Sequence, residues 1–176
     1  MAKARIATVW LDGCSGCHMS FLDIDERLIQ VAELADLVYS PLVDFKAFPD
    51  EVDIALVEGA VASEEDLHKI QKIRQNTRLL VSLGDCAVTG NVPAMRNGVP
   101  VAKLLHTVYV DRAQENRAAP TERVPALMKQ ARPVRDYVKV DLHAPGCPPS
   151  AQAIFGMISD LLEGRKPDAS QKLRFG

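Results

Sequence analysis

Short apolar runs recur along the chain, and the segments between them carry apolar residues every three or four positions. The runs have the length and composition of buried β-strands, and they cover residues 4–11, 37–43, 52–57, 78–83 and 138–142. Pro41 interrupts the second run, and Asp12-Gly13 ends the first run at a turn. The pattern therefore predicts five buried strands.

Three of the segments between and after these strands have the periodicity of helices. Apolar residues recur at helical spacing over residues 19–34, and acidic residues lie early in that stretch, where the helix dipole favours them. Ser63 followed by three acidic residues is typical of a helix start, and this helix is predicted to run to about residue 76. The last helix is predicted over residues 151–162, ending before Gly164.

Strands that alternate with helices are typical of a parallel α/β sheet. Five such strands predict a flavodoxin-like fold with strand order 2-1-3-4-5 and helices on both faces. We expect residues 1–164 to form this domain and residues 165–176 to form a polar C-terminal tail. Residues 87–136 contain five prolines and little periodicity beyond a short helix predicted at 101–110. So long a crossover indicates a functional or partner-binding surface.

Composition narrows the class of protein. Hydrophobic residues make up 47% of the 176-residue chain and charged residues 25%, which is ordinary for a soluble globular domain. A formal net charge of −2 gives no basic surface for nucleic acid, and no apolar stretch reaches the roughly 20 residues of a membrane span. The N-terminus lacks a signal-peptide core and a twin-arginine pair, so we expect a cytoplasmic protein with reduced thiols.

The four cysteines of the chain carry its clearest chemical signal. Cys14 and Cys17 follow the first predicted strand, Cys86 follows the fourth and Cys147 follows the fifth. The carboxyl ends of parallel strands share one edge of the sheet, which is where ligands bind in such folds. We therefore expect the thiols to converge at this edge and to form a metal or iron–sulfur site.

Two other interpretations of the cysteines stay open. A Cys₄ zinc site usually combines two CxxC pairs, whereas here one pair, Cys14-Ser-Gly-Cys17, is joined by two isolated cysteines. Some cysteines could also be small core residues beside a redox-active CxxC pair, although the Gly, Asp, Pro and Ser residues around them indicate loops. A 4Fe–4S cluster fits the pattern best, because it accepts thiolates from any loops that the fold brings together.

Four segments contain these cysteines or lie between them: LDGCSGCHMSFLDID at residues 11–25, VEGAV at 57–61, LVSLGDCAVTGNVPAMRN at 80–97 and HAPGCPPS at 143–150. Together, and in this order, they resemble the small subunit of nickel–iron hydrogenases, and most of all the cytoplasmic NAD-reducing, bidirectional type. The resemblance implies a flavodoxin-like domain that holds the proximal 4Fe–4S cluster and faces a nickel–iron centre in a separate large subunit. Its implied ligands are Cys14, Cys17, Cys86 and Cys147.

The resemblance also implies a function. The chain would relay single electrons between the large subunit and diaphorase subunits that carry FMN and further iron–sulfur clusters, in the reaction H2 + NAD+ = H+ + NADH. The cysteine turn replaces the usual flavin phosphate loop after the first strand, so FMN is expected in a partner subunit. No cysteine is left for a second cluster. An F420-reducing hydrogenase, a respiratory NADH dehydrogenase and a zinc-stabilised binding module remain as alternatives.

Three polar residues near the cysteines are candidates for supporting roles. Glu58 ends the third strand at the same edge, and it could lie beside a cluster or be a solvated strand-end acid. His18 stands where many members of the resembled family have glutamate, and a hydrogen bond near the cluster is favoured over a role in proton movement. Asp85 precedes Cys86 and is interpreted as a turn residue that accepts local N–H bonds.

Overall fold

The computed structural model describes residues 3–167 and confirms the predicted central sheet. The five parallel strands are β1 (Ala4–Trp10), β2 (Ala35–Tyr39), β3 (Val52–Glu58), β5 (Thr77–Leu83) and β7 (Leu142–Ala144). They lie in the order β2-β1-β3-β5-β7, which is the predicted 2-1-3-4-5 arrangement of the central strands. Two further strands, β4 (Val61–Ser63) and β6 (Leu127–Arg132), pair antiparallel in a separate small sheet that was not predicted.

The helices cover both faces of the central sheet. They are α1 (Gly16–Leu22), α2 (Leu28–Leu34), α3 (Glu64–Gln75), α4 (Gly84–Thr89), α5 (Asn91–Ala94), α6 (Val101–His106) and α7 (Ala151–Leu162). Successive residues of β3 alternate between two cores. Leu56 lies in a core with Ile154 of α7, and Val57 lies in a second core with Ile70 of α3. Each fully buried aliphatic side chain contributes about 1.5–3 kcal/mol to folding, so the two cores hold the sheet edge in place.

The helix start at Ser63 is formed as predicted. The Ser63 Oγ accepts a hydrogen bond from the Asp66 backbone N–H (3.1 Å), and the Asp66 carboxylate accepts one from the Ser63 backbone N–H (3.0 Å). This reciprocal capping box satisfies two backbone donors that the helix itself leaves unpaired. The final helix also has its predicted bounds, Ala151–Leu162.

The prediction of a single helix over residues 19–34 is wrong. α1 ends at Leu22, a 3-10 turn follows at Asp25–Arg27, and α2 begins only at Leu28. Asp25 has a φ of +59°, a left-handed conformation that a continuous α-helix cannot contain. Ile24, beside this break, is still buried in the core, so the apolar spacing reported burial and not helix continuity.

The fifth central strand begins later than predicted. Val138 and Val140 pack against the second core from a loop, without pairing to β5. The backbone N–H of Asp141 donates to the Leu80 carbonyl, and the Asp141 carboxylate accepts from the Leu80 N–H, both at 2.9 Å. A loop whose apolar residues cover a core has the same sequence pattern as a short strand, which explains the error.

The long crossover contains more regular structure than its sequence predicts, because β6 lies within it. The Asn97 side chain makes two hydrogen bonds of 2.8 Å to the backbone N–H and carbonyl of Ala131. The Arg96 guanidinium donates to the carbonyls of Met128 (3.0 Å) and Ala62 (3.1 Å). These side chains pair backbone groups of β6 and of β4 that would otherwise be left open at the edge of the small sheet.

The short helix predicted at residues 101–110 is present as α6 and a π-helical stretch, Thr107–Asp111, that continues it. No helix within residues 3–167 combines the length and the apolar character needed to cross a bilayer. Residues 168–176, most of the predicted polar tail, lie outside the described residues, so the division of the chain at residue 164 stays a prediction.

Candidate metal centre

Loops after three strands bring all four cysteines to one cavity at the carboxyl edge of the sheet. Cys14 and Cys17 lie between β1 and the first turn of α1, Cys86 lies in α4 directly after β5, and Cys147 lies in the loop after β7. The cavity has a volume of about 60 Å³, and Glu58 and Asp85 also line it. All four cysteines are free thiols, with Cys14 and Cys147 exposed and the other two half-buried.

A glycine after β5 creates the space for one of the thiols. Gly84 has a φ of +81°, and a Cβ at this position would lie 2.1 Å from the Cys17 Sγ. Sulfur and carbon cannot approach this closely without a bond, so the Cys17 sulfur can occupy its position only because Gly84 has no side chain. The wall of the cavity is therefore built to admit a thiol at this point.

Asp85 fastens the Cys147 loop to α4. Its carboxylate accepts a hydrogen bond from the Gly146 backbone N–H (2.7 Å), and its own backbone N–H donates to the Gly146 carbonyl (2.9 Å). The side chain is buried, and its partner is 61 residues away in the chain. The interpretation of Asp85 as a local turn residue is therefore wrong. Ser20 of α1 holds the same loop by donating to the Pro149 carbonyl (2.5 Å).

Glu58 and His18 form a buried pair beside the thiols. Their exposed fractions are only 3% and 2%. The Glu58 carboxylate accepts hydrogen bonds from the backbone N–H of His18 (2.8 Å) and from its ring Nδ1 (2.5 Å). The Trp10 ring meets the imidazole edge-to-face at 5.3 Å between centroids. The description of Glu58 as a solvated acid is therefore wrong; its carboxylate fixes the residue that directly follows Cys17.

Removing the charge of Glu58 is expected to destabilise the fold. In the Glu58→Gln variant, an amide replaces a carboxylate that accepts two hydrogen bonds in a buried position. We expect a loss of about 1–3 kcal/mol in the free energy of unfolding, measured with urea. Glu65→Gln, at an exposed position of α3, is the matched control and should stay within about 0.5 kcal/mol of the wild type. Equal stability of the two variants would contradict this account of the pair.

The protein alone disfavours the thiolate forms of Cys17 and Cys86. The pKa of Cys17 is raised well above its ordinary value, first by burial, then by the negative charge of Glu58 and by the other three thiols. Burial also raises the pKa of Cys86, and a hydrogen bond from the Val92 backbone offsets part of that rise. Metal ligands must be deprotonated, so a positively charged metal group would have to displace these protons when it binds.

The thiols surround a space and do not meet at a single point. Among residues 3–167, no three His, Cys, Asp or Glu side chains are grouped closely enough to hold one metal ion. The cysteine positions were predicted from the strand ends, but the supporting roles of Gly84, Asp85 and Ser20 were not. Their partners lie in other loops, and only the turn-forming Gly84-Asp85 pair gave a local signal.

Most of the chain matches a known protein family. Residues 14–161 match the family described as NADH ubiquinone oxidoreductase, 20 Kd subunit. The delta subunit of the NAD-reducing hydrogenase HoxS of Cupriavidus necator is 40% identical over 171 residues, which is 94% of this chain and 82% of that protein. A subunit of the F420-non-reducing hydrogenase vhu of Methanocaldococcus jannaschii is 36% identical over 171 residues, covering 96% of this chain.

The relatives differ in length. The chain spans only 59% of the Methanocaldococcus jannaschii protein. A solved structure has the same extent as this chain: a chain of an NAD+-reducing NiFe-hydrogenase in the H2-reduced state, with a TM-score of 0.95 and 41% sequence identity. The match covers 99% of this chain and 100% of that one.

Proposed function

The chain belongs to the NADH ubiquinone oxidoreductase 20 kDa subunit family, and on that premise we propose that it is the electron-transfer subunit of an NAD-reducing nickel–iron hydrogenase. The reaction of the whole enzyme is H2 + NAD+ = H+ + NADH. The nickel–iron centre belongs to a partner large subunit, and FMN with further iron–sulfur clusters belongs to diaphorase partners. The observation that carries the proposal is the single cavity lined by all four cysteines.

The group that we assign to this cavity is one 4Fe–4S cluster, held by Cys14, Cys17, Cys86 and Cys147. Four thiols from three separate segments of the chain match the Cys₄ ligand set of such a cluster, and their placement around a cavity suits a polynuclear group. When bound, the cluster supplies one-electron transfer.

The residues around the thiols position them. Glu58 fixes the start of α1 through His18, and Asp85 joins α4 to the loop that carries Cys147. Cys14 and Cys147 are exposed, so the cavity opens toward the surface at this edge. A position near the surface suits an electron carrier, because a short distance to the partner's redox centre makes electron transfer fast.

Sequence identity favours the NAD-reducing type over its alternatives. The chain is 41% identical to the solved NAD+-reducing hydrogenase chain and 40% identical to the HoxS delta subunit, but 33% identical to the gamma subunit of the coenzyme F420 hydrogenase of Methanosarcina barkeri. Purification with co-expressed partner subunits separates these functions. We expect H2-dependent reduction of NAD+, whereas reduction of F420 alone would overturn the assignment of the acceptor. We also place the assembly in the cytoplasm, where NAD+ is available.

Metal analysis tests the cluster directly. Anaerobically purified protein should contain about four iron and four sulfide per chain, with the visible absorption of thiolate-bound iron and a paramagnetic signal on reduction. Stoichiometric zinc without iron would replace the proposal by a zinc-stabilised binding module, because zinc has no redox chemistry. Protein that takes up neither metal under reconstitution would refute both functions.

A further inference from the structure

The turn at residues 90–92, at the junction of α4 and α5, directs hydrogen-bond donors at two of the four thiols. The Asn91 side-chain amide donates to the Cys147 Sγ at 3.5 Å. The backbone of the next residue, Val92, donates to Cys86. Asn91 and Cys147 are 56 residues apart in the chain, so this contact joins the turn after α4 to the loop after β7. Neither contact was expected from the sequence.

The backbone of the turn is suited to present this amide. Gly90 has a φ of +92°, and Asn91 has a φ of +27°, a region that asparagine tolerates better than most residues. The turn directly follows α4, whose first residues include Cys86 and Asp85. The donor is therefore placed by the same element that supplies a thiol and fastens the Cys147 loop.

The charges around the cavity give such donors a particular importance. The ionisable residues that line the cavity besides the cysteines are the acids Glu58 and Asp85, and no Lys or Arg of the described chain lines it. Negative charge near a cluster favours its oxidised form, because reduction adds an electron. With no cation in the cavity wall, N–H groups aimed at sulfur are the local source of positive potential.

We propose that Asn91 is a positioning residue that raises the reduction potential of the cluster by donating a hydrogen bond to the Cys147 sulfur. The inference rests on the proposed function, since it requires a cluster on Cys147. Hydrogen bonds to ligand sulfur stabilise the more negative, reduced state, and potentials of iron–sulfur clusters follow them. Asn91 thereby sets how readily this subunit accepts an electron, without contributing a ligand.

The test is an anaerobic redox titration of the full chain carrying its cluster, followed by the paramagnetic signal of the reduced state. Asn91→Gly removes the amide and suits the positive φ, and Asn91→Asp replaces the donor by an acceptor of the same shape. Asn116→Asp is the matched control, because Asn116 is exposed, also has a positive φ (+50°) and makes the same charge change in the crossover.

In the Asn91→Gly variant, we expect the equilibrium constant for reduction of the cluster to fall by about threefold to tenfold. A tenfold change corresponds to a reduction potential lower by about 59 mV for one electron. Asn91→Asp should shift it further in the same direction, and Asn116→Asp should not move it. Unchanged potentials in both Asn91 variants overturn the inference. Loss of the cluster from both variants, with the fold intact by circular dichroism, also overturns it, because a tuning residue is dispensable for assembly. Absence of iron from the wild-type chain refutes the proposed function instead.

Discussion

The Cys147→Ala variant is expected to lose the iron–sulfur cluster while keeping the fold of its metal-free form. Iron should fall from about four atoms per chain to near zero, and the visible absorption should disappear. Cys147 is exposed and lies in a loop that Asp85 and Ser20 hold through neighbouring residues, so its thiol contributes little to the metal-free fold. Iron analysis and visible spectroscopy of the anaerobic protein measure the outcome.

Stability measurements separate ligation from folding. Binding energy of a metal group is also folding energy, so removal of the cluster should lower the melting temperature of the wild type. The metal-free wild type and Cys147→Ala should then unfold alike, within about 0.5 kcal/mol. Val124→Ala, a small exposed change elsewhere, should keep full iron content. Native iron content in Cys147→Ala would remove Cys147 from the ligand set.

The Gly84→Ala variant is expected to lose the cluster without a change to any cysteine. The new methyl group would lie 2.1 Å from the Cys17 Sγ and 3.4 Å from the Gly146 carbonyl oxygen. The short Cys17 side chain can relieve the first clash by rotating its sulfur away, and the thiol then no longer faces the cavity. Iron content should therefore fall by most of its wild-type value, as measured on the reconstituted protein.

A second glycine isolates this effect from backbone strain. Gly164 also has a positive φ (+71°), but a Cβ there would meet nothing within 4 Å. Both Gly84→Ala and Gly164→Ala should therefore lose about 1–2 kcal/mol of stability from the left-handed backbone. Only Gly84→Ala should lose iron. If the two variants bound iron equally, the packing of Gly84 against Cys17 would not control the site.

Some errors of the sequence-based prediction share one cause. Apolar spacing reports which residues are buried, and burial is satisfied by more than one backbone path. Ile24 is buried although the helix around it is interrupted, and Val138 covers a core from a loop and not from a strand. β6 was missed because three of its six residues, Lys129, Gln130 and Arg132, are polar, so it has no continuous apolar run.

Part of the candidate site could be predicted from the sequence, and part of it could not. The positions of the cysteines after strands predicted their common edge, because parallel strands all end on one side of a sheet. The burial of Glu58 and its bond to His18 could not be predicted, since His18 lies 40 residues away along the chain. Asp85 was assigned a local partner because turn chemistry is local, whereas its observed partner Gly146 belongs to another loop.

The sequence by itself determined the parallel sheet, the order of its strands and the edge at which the four thiols gather. These features follow from hydrophobic burial and chain connectivity, and the order of the apolar runs along the sequence indicates both. Only the tertiary structure decided which polar groups meet around the thiols: Glu58 with His18, Asp85 with Gly146, and Asn91 with Cys147. Hydrogen bonds depend on distances of a few tenths of an ångström between separate loops, and no local pattern encodes such distances.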